Sequence, residues 1–266
     1  YTADYVASLG RHPAVAFALP RTRAIAATIG LSRAETSGPL APRIVTASME
    51  PTAAGDPLLD RYGAAVPQAV YARTETDAHL TESGVCLSAS TAEKLGVGPG
   101  DVLTGIVERG RRGAVEKARV RLTVTSVLPL AAEQKDVVFL PLPLLEAAED
   151  FRDGRAASGM NPADGWTGAP LPDTPRVYAG FRLYARTLEN VPRLRDAFRS
   201  HQVDVYTHAD EIEQVMTLSA SLGLVFSLIS IAAAIGFAAS TASSALAGVK
   251  RKERVLGLLR LMGFPM

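Results

Sequence analysis

The chain carries at residues 214–249 the sequence QVMTLSASLGLVFSLISIAAAIGFAASTASSALAGV, which is 36 residues long and has no charged side chain, and KRKER follows directly at residues 250–254. About 20 apolar residues suffice to cross a bilayer as a helix, so Leu218 to Leu246 is long enough to span one. Lys and Arg concentrate on the cytoplasmic side of membrane helices, and the basic cluster therefore places residues 1–213 outside the cytoplasm. The alternative is a buried core helix, but such helices are usually about 8–20 residues long and carry a polar face. The run predicts a membrane-spanning helix that follows a large extracytoplasmic domain.

Charge and cysteine content limit the functions of this outer region. The 266 residues include 28 Lys and Arg against 27 Asp and Glu, but five basic residues and one acidic residue follow Val249. The region before the basic cluster is therefore slightly acidic, whereas a nucleic-acid-binding surface is basic, and we expect no nucleic-acid partner. Cys86 is the single cysteine, which excludes an internal disulfide, and its apolar neighbours Val85 and Leu87 favour a buried thiol over a reactive one.

Both ends of the chain are predicted to continue into a longer polypeptide. An exported domain needs a signal peptide or an earlier membrane helix, and neither precedes it here, so we expect a further span before Tyr1. The sequence also stops at Met266, directly after a Gly-Phe-Pro break.

The patterning of the outer region predicts an α+β fold. Short apolar segments bounded by turn residues indicate strands, and residues with a spacing of three to four indicate helices. Ser90 with Glu93 has the pattern of a capping box at the start of a helix. The predicted elements are a strand pair at 13–19 and 24–31, strands at 43–48, 85–89, 102–108, 118–128 and 137–140, helices at 2–10, 56–62, 90–95 and 142–151, a linker at 152–175, and then strand 176–185, helix 188–201, strand 203–207 and a helix from His208 into the span.

A hairpin and a glycine-rich turn indicate a small β-barrel within this region. The segment RGRRG at 109–113 joins two strands, and the second strand alternates apolar and polar residues as a half-buried strand does. The segment LGVGPGD at 95–101 lacks the Gly-Lys-Ser/Thr end of a phosphate-binding loop and leads into a strand rather than a helix. It therefore predicts a turn between barrel elements and not a nucleotide site.

The residues that could carry catalysis are not arranged for it. The sequence has no HExxH motif and no Gly-x-Ser-x-Gly elbow, and its carboxylate pairs Glu75/Asp77 and Glu149/Asp150 lie in polar segments where we expect them to be solvated. The span contains no ionisable residue that could relay protons. We expect a non-catalytic chain without a cofactor or metal. The histidines are scattered at His12, His79, His201 and His208.

Small side chains recur every four residues in the membrane segment. Such a stripe allows two helix backbones to approach closely and is enriched at helix contacts in lipid, although membrane helices are rich in Gly, Ala and Ser in any case. We predict that this face packs against another helix. The stripe consists of Ala232, Gly236, Ser240, Ser244 and Gly248.

The segment after the span is predicted to be an amphipathic helix on the inner leaflet. Its apolar residues are assigned to one side and its basic residues to the other, and Gly263-Phe264-Pro265 ends it. The apolar side comprises Val255, Leu256, Leu258, Leu259 and Met262, and the basic side Arg251, Lys252, Arg254 and Arg260.

The sequence VKRKERVLGLLRLMGFP at 249–265 resembles the stretch after the second membrane helix of FtsX-like permeases, the membrane subunits of ABC transporters of the MacB and LolC/LolE kind. Their pattern is a basic cluster followed by Glu-Ile-Gly-x-Leu-Arg-x-Leu-Gly. Gly257, Leu259, Arg260 and Gly263 match it and Leu256 replaces the Ile, whereas Val255 stands where the family has Glu. Upstream, residues 95–103, 121–130 and 137–144 resemble the β-rich part of the MacB-like periplasmic core domain, and the segment from Tyr184 to the span resembles the end of its α+β porter part.

The resemblance implies a periplasmic domain at 1–213, with a β-rich lobe at about 64–151 and an α+β lobe formed by 1–63 and 176–213. It further implies a transmembrane helix at 214–249 and a cytoplasmic corner at 250–266 in a four-helix permease of the inner membrane. Such permeases pair with a second copy or paralogue, and a separate ABC-type ATPase docks near the corner. The implied coupling residues are Arg254, Leu256, Gly257, Leu259, Arg260 and Gly263.

Two functions follow from this resemblance, and the sequence does not separate them. The first is export or extraction of a lipoprotein or other amphipathic substrate. The second is mechanotransmission, in which the outer domain activates a periplasmic partner, such as a cell-wall hydrolase or a secretion-system regulator, without transport. A third possibility, a membrane-anchored binding domain without an ATPase, is disfavoured by the corner motif.

Overall fold

The computed structural model describes residues 1–34, 43–73, 78–111, 113–155, 157, 160, 168–207 and 209–263, excepting the side chains of 70–73, 78–81, 111 and 256. The chain divides into two compact units, Tyr1–Asn190 and Val191–Met266. The first unit mixes helices and strands. Its elements are α1 (Ala3–Gly10), β1 (Val15–Arg21), a 3-10 turn (Ala24–Ala26), β2 (Thr28–Arg33), β3 (Val45–Thr52), α2 (Pro57–Arg61), β4 (Ala69–Arg73), β5 (Ala78–Ser88), α3 (Ala89–Leu95), β6 (Val102–Arg111), β7 (Ala114–Leu128), β8 (Val137–Pro141), α4 (Leu142–Arg152) and β9 (Gly180–Ala185).

Seven of these strands form a barrel-like sheet. Their order is β4-β5-β7-β6-β2-β3-β8, and a further antiparallel pairing of β5 with β8 closes six of them into a ring. The pairs β3–β8 and β5–β7 are parallel, whereas the other neighbouring strands are antiparallel. Side chains of alternate residues point inward, as a strand requires, and α4 packs against β3, β6 and β8. The largest fully buried residues of this core include Ile29, Leu31, Met49, Leu103, Leu122, Leu140 and Phe151.

The predicted hairpin and glycine-rich turn are confirmed. β6 and β7 pair in antiparallel register from Val102 opposite Thr123 to Arg111 opposite Ala114, so the hairpin is longer than the sequence pattern indicated. The loop before β6 contains Gly96 and Gly100 at φ of +65° and +93°, a conformation that glycine adopts without steric cost. The loop leads into a strand and functions as a turn.

The strand pairing differs from the predicted arrangement in two places. β1 pairs with β9 in a separate two-stranded sheet, so the expected pair of 13–19 with 24–31 does not form. β2 and β3 belong to the seven-stranded sheet, whose strands therefore do not follow the predicted lobe boundary between residues 63 and 64. The physical reason is that strands which pair in a sheet can be far apart in the sequence. The alternation of apolar and polar residues along one strand indicates which face of that strand is buried, but not which strand it pairs with.

The start of α3 also differs from the predicted capping box. Ser88 rather than Ser90 is the N-cap, because its hydroxyl accepts a hydrogen bond from the backbone N–H of Thr91. The Ser88 hydroxyl oxygen lies 3.2 Å from the backbone nitrogen of Val137, whose N–H donates to it, so one side chain joins the helix start to β8. Ser90 donates instead to Asp136.

The second unit contains α5 (Asn190–Ser200) and α6 (Ala209–Leu261). The predicted helix at 188–201 and the long helix through the apolar run are thereby confirmed, the latter from Ala209 onward. The predicted strand at 203–207 is wrong, because these residues form no regular element. Gln202, at φ of +58°, reverses the chain after α5, and the backbone N–H of Val203 bonds back to Phe198. This left-handed termination closes α5 in the manner of a helix C-cap.

Candidate functional site

α6 connects the residues before it to the basic end of the chain. It is one uninterrupted helix of 53 residues, which corresponds to a length of about 80 Å at about 1.5 Å per residue. The hydrocarbon core of a bilayer is about 30 Å thick, so α6 is long enough to cross it and extend beyond both surfaces. Within the described residues it is the one helix long and apolar enough to span a membrane.

The two halves of the apolar run differ in side-chain size. Residues 218–231 contain large apolar side chains on all sides of the helix, whereas residues 232–248 contain only Ile235, Phe237 and Leu246 as large ones. The predicted stripe therefore belongs to a broader surface of small side chains. A Cβ added at Gly236 or Gly248 would meet nothing within 4 Å, so this surface is open to a neighbouring helix.

The small-residue surface predicts a specific effect of a bulky side chain. Gly236→Leu is expected to reduce helix association several-fold, because leucine would hold the neighbouring backbone away from the helix. Phe237→Leu is the matched control, since it keeps a large apolar side chain at the adjacent position. Disulfide cross-linking between copies in native membranes, through Ser240→Cys introduced on the same stripe of each variant, measures the effect, because the native Cys86 is buried. Equal cross-linking of the two variants would contradict a packed face at Gly236.

The basic end of α6 is arranged differently from the predicted two-sided helix. α6 continues without a break through Lys250, so no separate interfacial helix forms. On a continuous helix residues seven apart lie on nearly the same face, which puts Arg251 on the face of Leu258 and Lys252 on that of Leu259. Most of the charges are therefore separated from the apolar residues along the helix axis: a charged turn at 250–254 is followed by turns in which Arg260 is the one charged residue.

The predicted coupling residues lie in and after this charged turn. Arg254, Gly257, Leu259 and Arg260 are exposed in α6, and Gly263 follows its last turn at φ of +83°, which confirms the predicted stop at this glycine. The side chain of Leu256, and residues 264–266 with the rest of the Gly-Phe-Pro break, lie outside the described residues.

A buried ion cluster at the end of α4 was not expected from the sequence. Glu149 and Asp150 are 6% and 5% exposed, so the prediction that this pair is solvated is wrong; Glu75 and Asp77 lie outside the described residues. The Arg23 Nε and the Arg176 Nη1 donate to the two Glu149 carboxylate oxygens at 2.8 and 3.0 Å. Arg176 also binds Asp150.

This ion cluster fastens the segment before β9 to α4. Burial raises the pKa of Asp150, because desolvation outweighs the attraction of Arg176. Each guanidinium of Arg23 and Arg176 contacts two carboxylates, so the buried charges of Glu149 and Asp150 are compensated, and removing one partner would leave a buried charge unpaired. Cys86 is likewise structural, since it is fully buried and desolvation raises its pKa, which keeps the thiol protonated. No group of three or more His, Cys, Asp or Glu in the described part of the chain could hold a metal ion.

The fold and the long helix together define a class of protein. It is a mixed α/β domain with a barrel-like sheet, joined to one helix that could span a membrane. No protein-family model matches the chain, and no curated protein matches it at significant similarity. The resemblance to FtsX-like permeases accordingly stays a prediction that rests on the residues quoted above.

Proposed function

We propose that the chain is part of a permease subunit of an ABC transporter, in which α6 couples ATP hydrolysis by a separate ATPase to movement of an extracytoplasmic domain. The observation that carries this proposal is the continuity of α6 from Ala209 to Leu261. A helix with an unbroken hydrogen-bond ladder transmits a tilt or rotation from one end to the other, because it bends sharply mainly at Pro, π-bulges or inserted groups. The described helix contains no proline.

The charge distribution along α6 supports the proposed orientation. Five basic residues follow Val249, whereas Asp210, Glu211 and Glu213 precede the apolar run. Basic residues mark the cytoplasmic end by the positive-inside rule. The proposed location is the cytoplasmic membrane, with residues 1–213 on its outer side.

The energy source in this proposal is a partner protein. The run from Gln214 to Val249 has no ionisable side chain, so α6 offers no site at which a proton gradient could act. The glycine-rich loop at 95–101 leads into β6 and lacks a phosphate-binding helix N-terminus. ATP hydrolysis is therefore assigned to a separate subunit.

The apolar turns beyond the charged turn support a protein contact at the cytoplasmic end. Val255, Leu258, Leu261 and Met262 are 54%, 61%, 86% and 66% exposed. These residues lie past the charged turn, where a continuous helix leaves the hydrocarbon. Large apolar side chains grouped on an exposed surface commonly mark a protein or membrane contact, and we assign this one to the ATPase, with Arg254 and Arg260 beside it.

Arg260→Glu is expected to reduce ATPase stimulation several-fold in the complex reconstituted with its ATPase, because charge reversal at a docking surface opposes the partner's complementary potential. Arg119→Glu makes the same charge change on the exposed face of β7 and is expected to leave ATP hydrolysis unchanged. ATPase activity of both variants in proteoliposomes is the measurement. Wild-type ATPase activity in Arg260→Glu would show that the basic end of α6 takes no part in the coupling.

The coupling is common to two versions of this function. In the first, the permease exports or extracts a lipoprotein or other amphipathic substrate; in the second, it activates a periplasmic protein mechanically. Purification of the full-length permease from membranes separates them, because the first version predicts a co-purifying lipoprotein and the second a soluble periplasmic protein. A second copy or a paralogue completes the permease in both versions.

A further inference from the structure

Arg195 of α5 binds three carboxylates, and two of them belong to α6. From α5, its Nη1 donates to Asp210 Oδ1 at 2.6 Å and its Nη2 to Glu213 Oε1 at 3.0 Å, and both carboxylates lie within the first five residues of α6. Its Nε donates to Asp196 Oδ1 of α5 at 2.9 Å. One planar guanidinium is therefore bonded to both helices at once.

The guanidinium is enclosed although its partners are open to solvent. The Arg195 side chain is 11% exposed, whereas Asp210 and Glu213 are 84% and 47% exposed. Asp210 and Glu213 are three residues apart and so project from one face of α6. Asp210 lies in the first turn of α6, where its negative charge also complements the helix dipole.

The chain immediately before α6 is also held. The Thr207 hydroxyl oxygen accepts a hydrogen bond from the backbone N–H of Ala209 at 3.1 Å, which satisfies one of the unpaired donors of the first turn. The start of α6 is thus defined both by this bond and by the Arg195 contacts.

Exposed ion pairs contribute little to stability as a rule, so the consequence of this arrangement is geometric. Arg presents its donors in a rigid fork, which fixes the direction of each bond as well as its length. A lysine has a single ammonium group on a flexible stem and cannot hold the same three oxygens in that geometry.

We propose that Arg195 is a positioning residue that locks α5 to the N-terminal end of α6, so that the two helices move as one body. The role of this lock rests on the proposed function, because a locked α5 would transmit motion of α6 to the chain that leads back to β9. The locked pair itself requires no ATPase. It can therefore be tested separately from the proposed function.

The test is a distance measurement between spin labels in the full chain in lipid nanodiscs. Labels are attached to Ala197→Cys on α5 and Val215→Cys on α6, both exposed positions, while the native Cys86 is fully buried. The variants are Arg195→Gln, Arg195→Lys and the double variant Asp210→Asn/Glu213→Gln. Arg199→Gln is the matched control, because Arg199 is an exposed arginine on the same helix.

We expect one narrow population of label-to-label distances in the labelled chain without a further substitution and in Arg199→Gln. We expect that population to be lost in the other three variants. Circular dichroism checks that α5 remains helical, and the double variant on α6 tests the same contacts without changing α5. A narrow, unshifted population in Arg195→Gln would overturn the proposal. Equal broadening in Arg199→Gln would do so as well, because it would show that the pair is not held by these contacts.

Discussion

Gly105→Val is expected to lower the stability of the barrel by about 3 kcal/mol, because it inserts a branched side chain into a filled core. Gly105 lies in β6 with its Cα facing the barrel interior. A Cβ at this position would come within 2.7 Å of Ile29 Cδ1, 2.8 Å of Val120 Cγ1 and 2.9 Å of Leu122 Cδ1. All three neighbours are buried, and Val120 is β-branched and has little freedom to rotate away.

The measurement is thermal unfolding of the full chain in detergent, followed by near-ultraviolet circular dichroism. A loss of about 3 kcal/mol corresponds to a fall of about 6–12 °C for a domain of this size. Gly110→Val is the matched control, because Gly110 lies on the same strand and a Cβ there would meet nothing within 4 Å. If the two variants melted at the same temperature, the packing around Gly105 described here would be incorrect.

The elements that the sequence predicted correctly are those defined by local patterns. The β6–β7 hairpin, α4 and α6 each have a periodicity or an apolar run that neighbouring residues establish alone. The 36-residue run before the basic cluster decided the most consequential prediction, a helix long and apolar enough to span a membrane. The long helix and its basic end were therefore accessible from sequence.

The features that the sequence did not reveal depend on partners far along the chain. β1 pairs with β9 across more than 150 residues, and Glu149 meets Arg23 from a separate element. Two adjacent carboxylates have the same local pattern whether solvated or buried, because burial is decided by what packs on them. The Arg195 contacts were missed for the same reason, since Asp210 and Glu213 lie 15 and 18 residues away on another helix.

A buried ion pair ties the two-stranded sheet to the barrel. Arg182 of β9 donates from Nη1 to Asp56 Oδ2 at 2.8 Å and from Nη2 to Asp56 Oδ1 at 3.2 Å. Asp56 is fully buried, accepts a hydrogen bond from the Thr52 hydroxyl at 2.8 Å and caps α2 through the backbone N–H of Leu58. Arg182 also donates to Tyr184. The carboxylate is thus satisfied from several directions, as a buried charge must be.

Asp56→Asn is expected to destabilise the first unit by about 3–5 kcal/mol, because it removes one charge of a buried pair and leaves the other uncompensated. The asparagine keeps the size of the side chain and an oxygen that can still cap α2. The loss of stability therefore measures the contribution of the ion pair more than that of the helix cap. Asp60→Asn, on the same helix at an exposed position, is the matched control and is expected to change the melting temperature by little.

A double-mutant cycle with Arg182→Met measures the interaction energy between Asp56 and Arg182 apart from the contacts that each makes with other residues. The double variant is expected to lose less stability than the sum of the two single variants, because removing both charges leaves no unpaired ion in the interior. The measurement is thermal and denaturant unfolding of the four chains under identical conditions. Strict additivity of the two single effects would show that Arg182 and Asp56 do not stabilise each other, and that the two-stranded sheet is held to the barrel by other contacts.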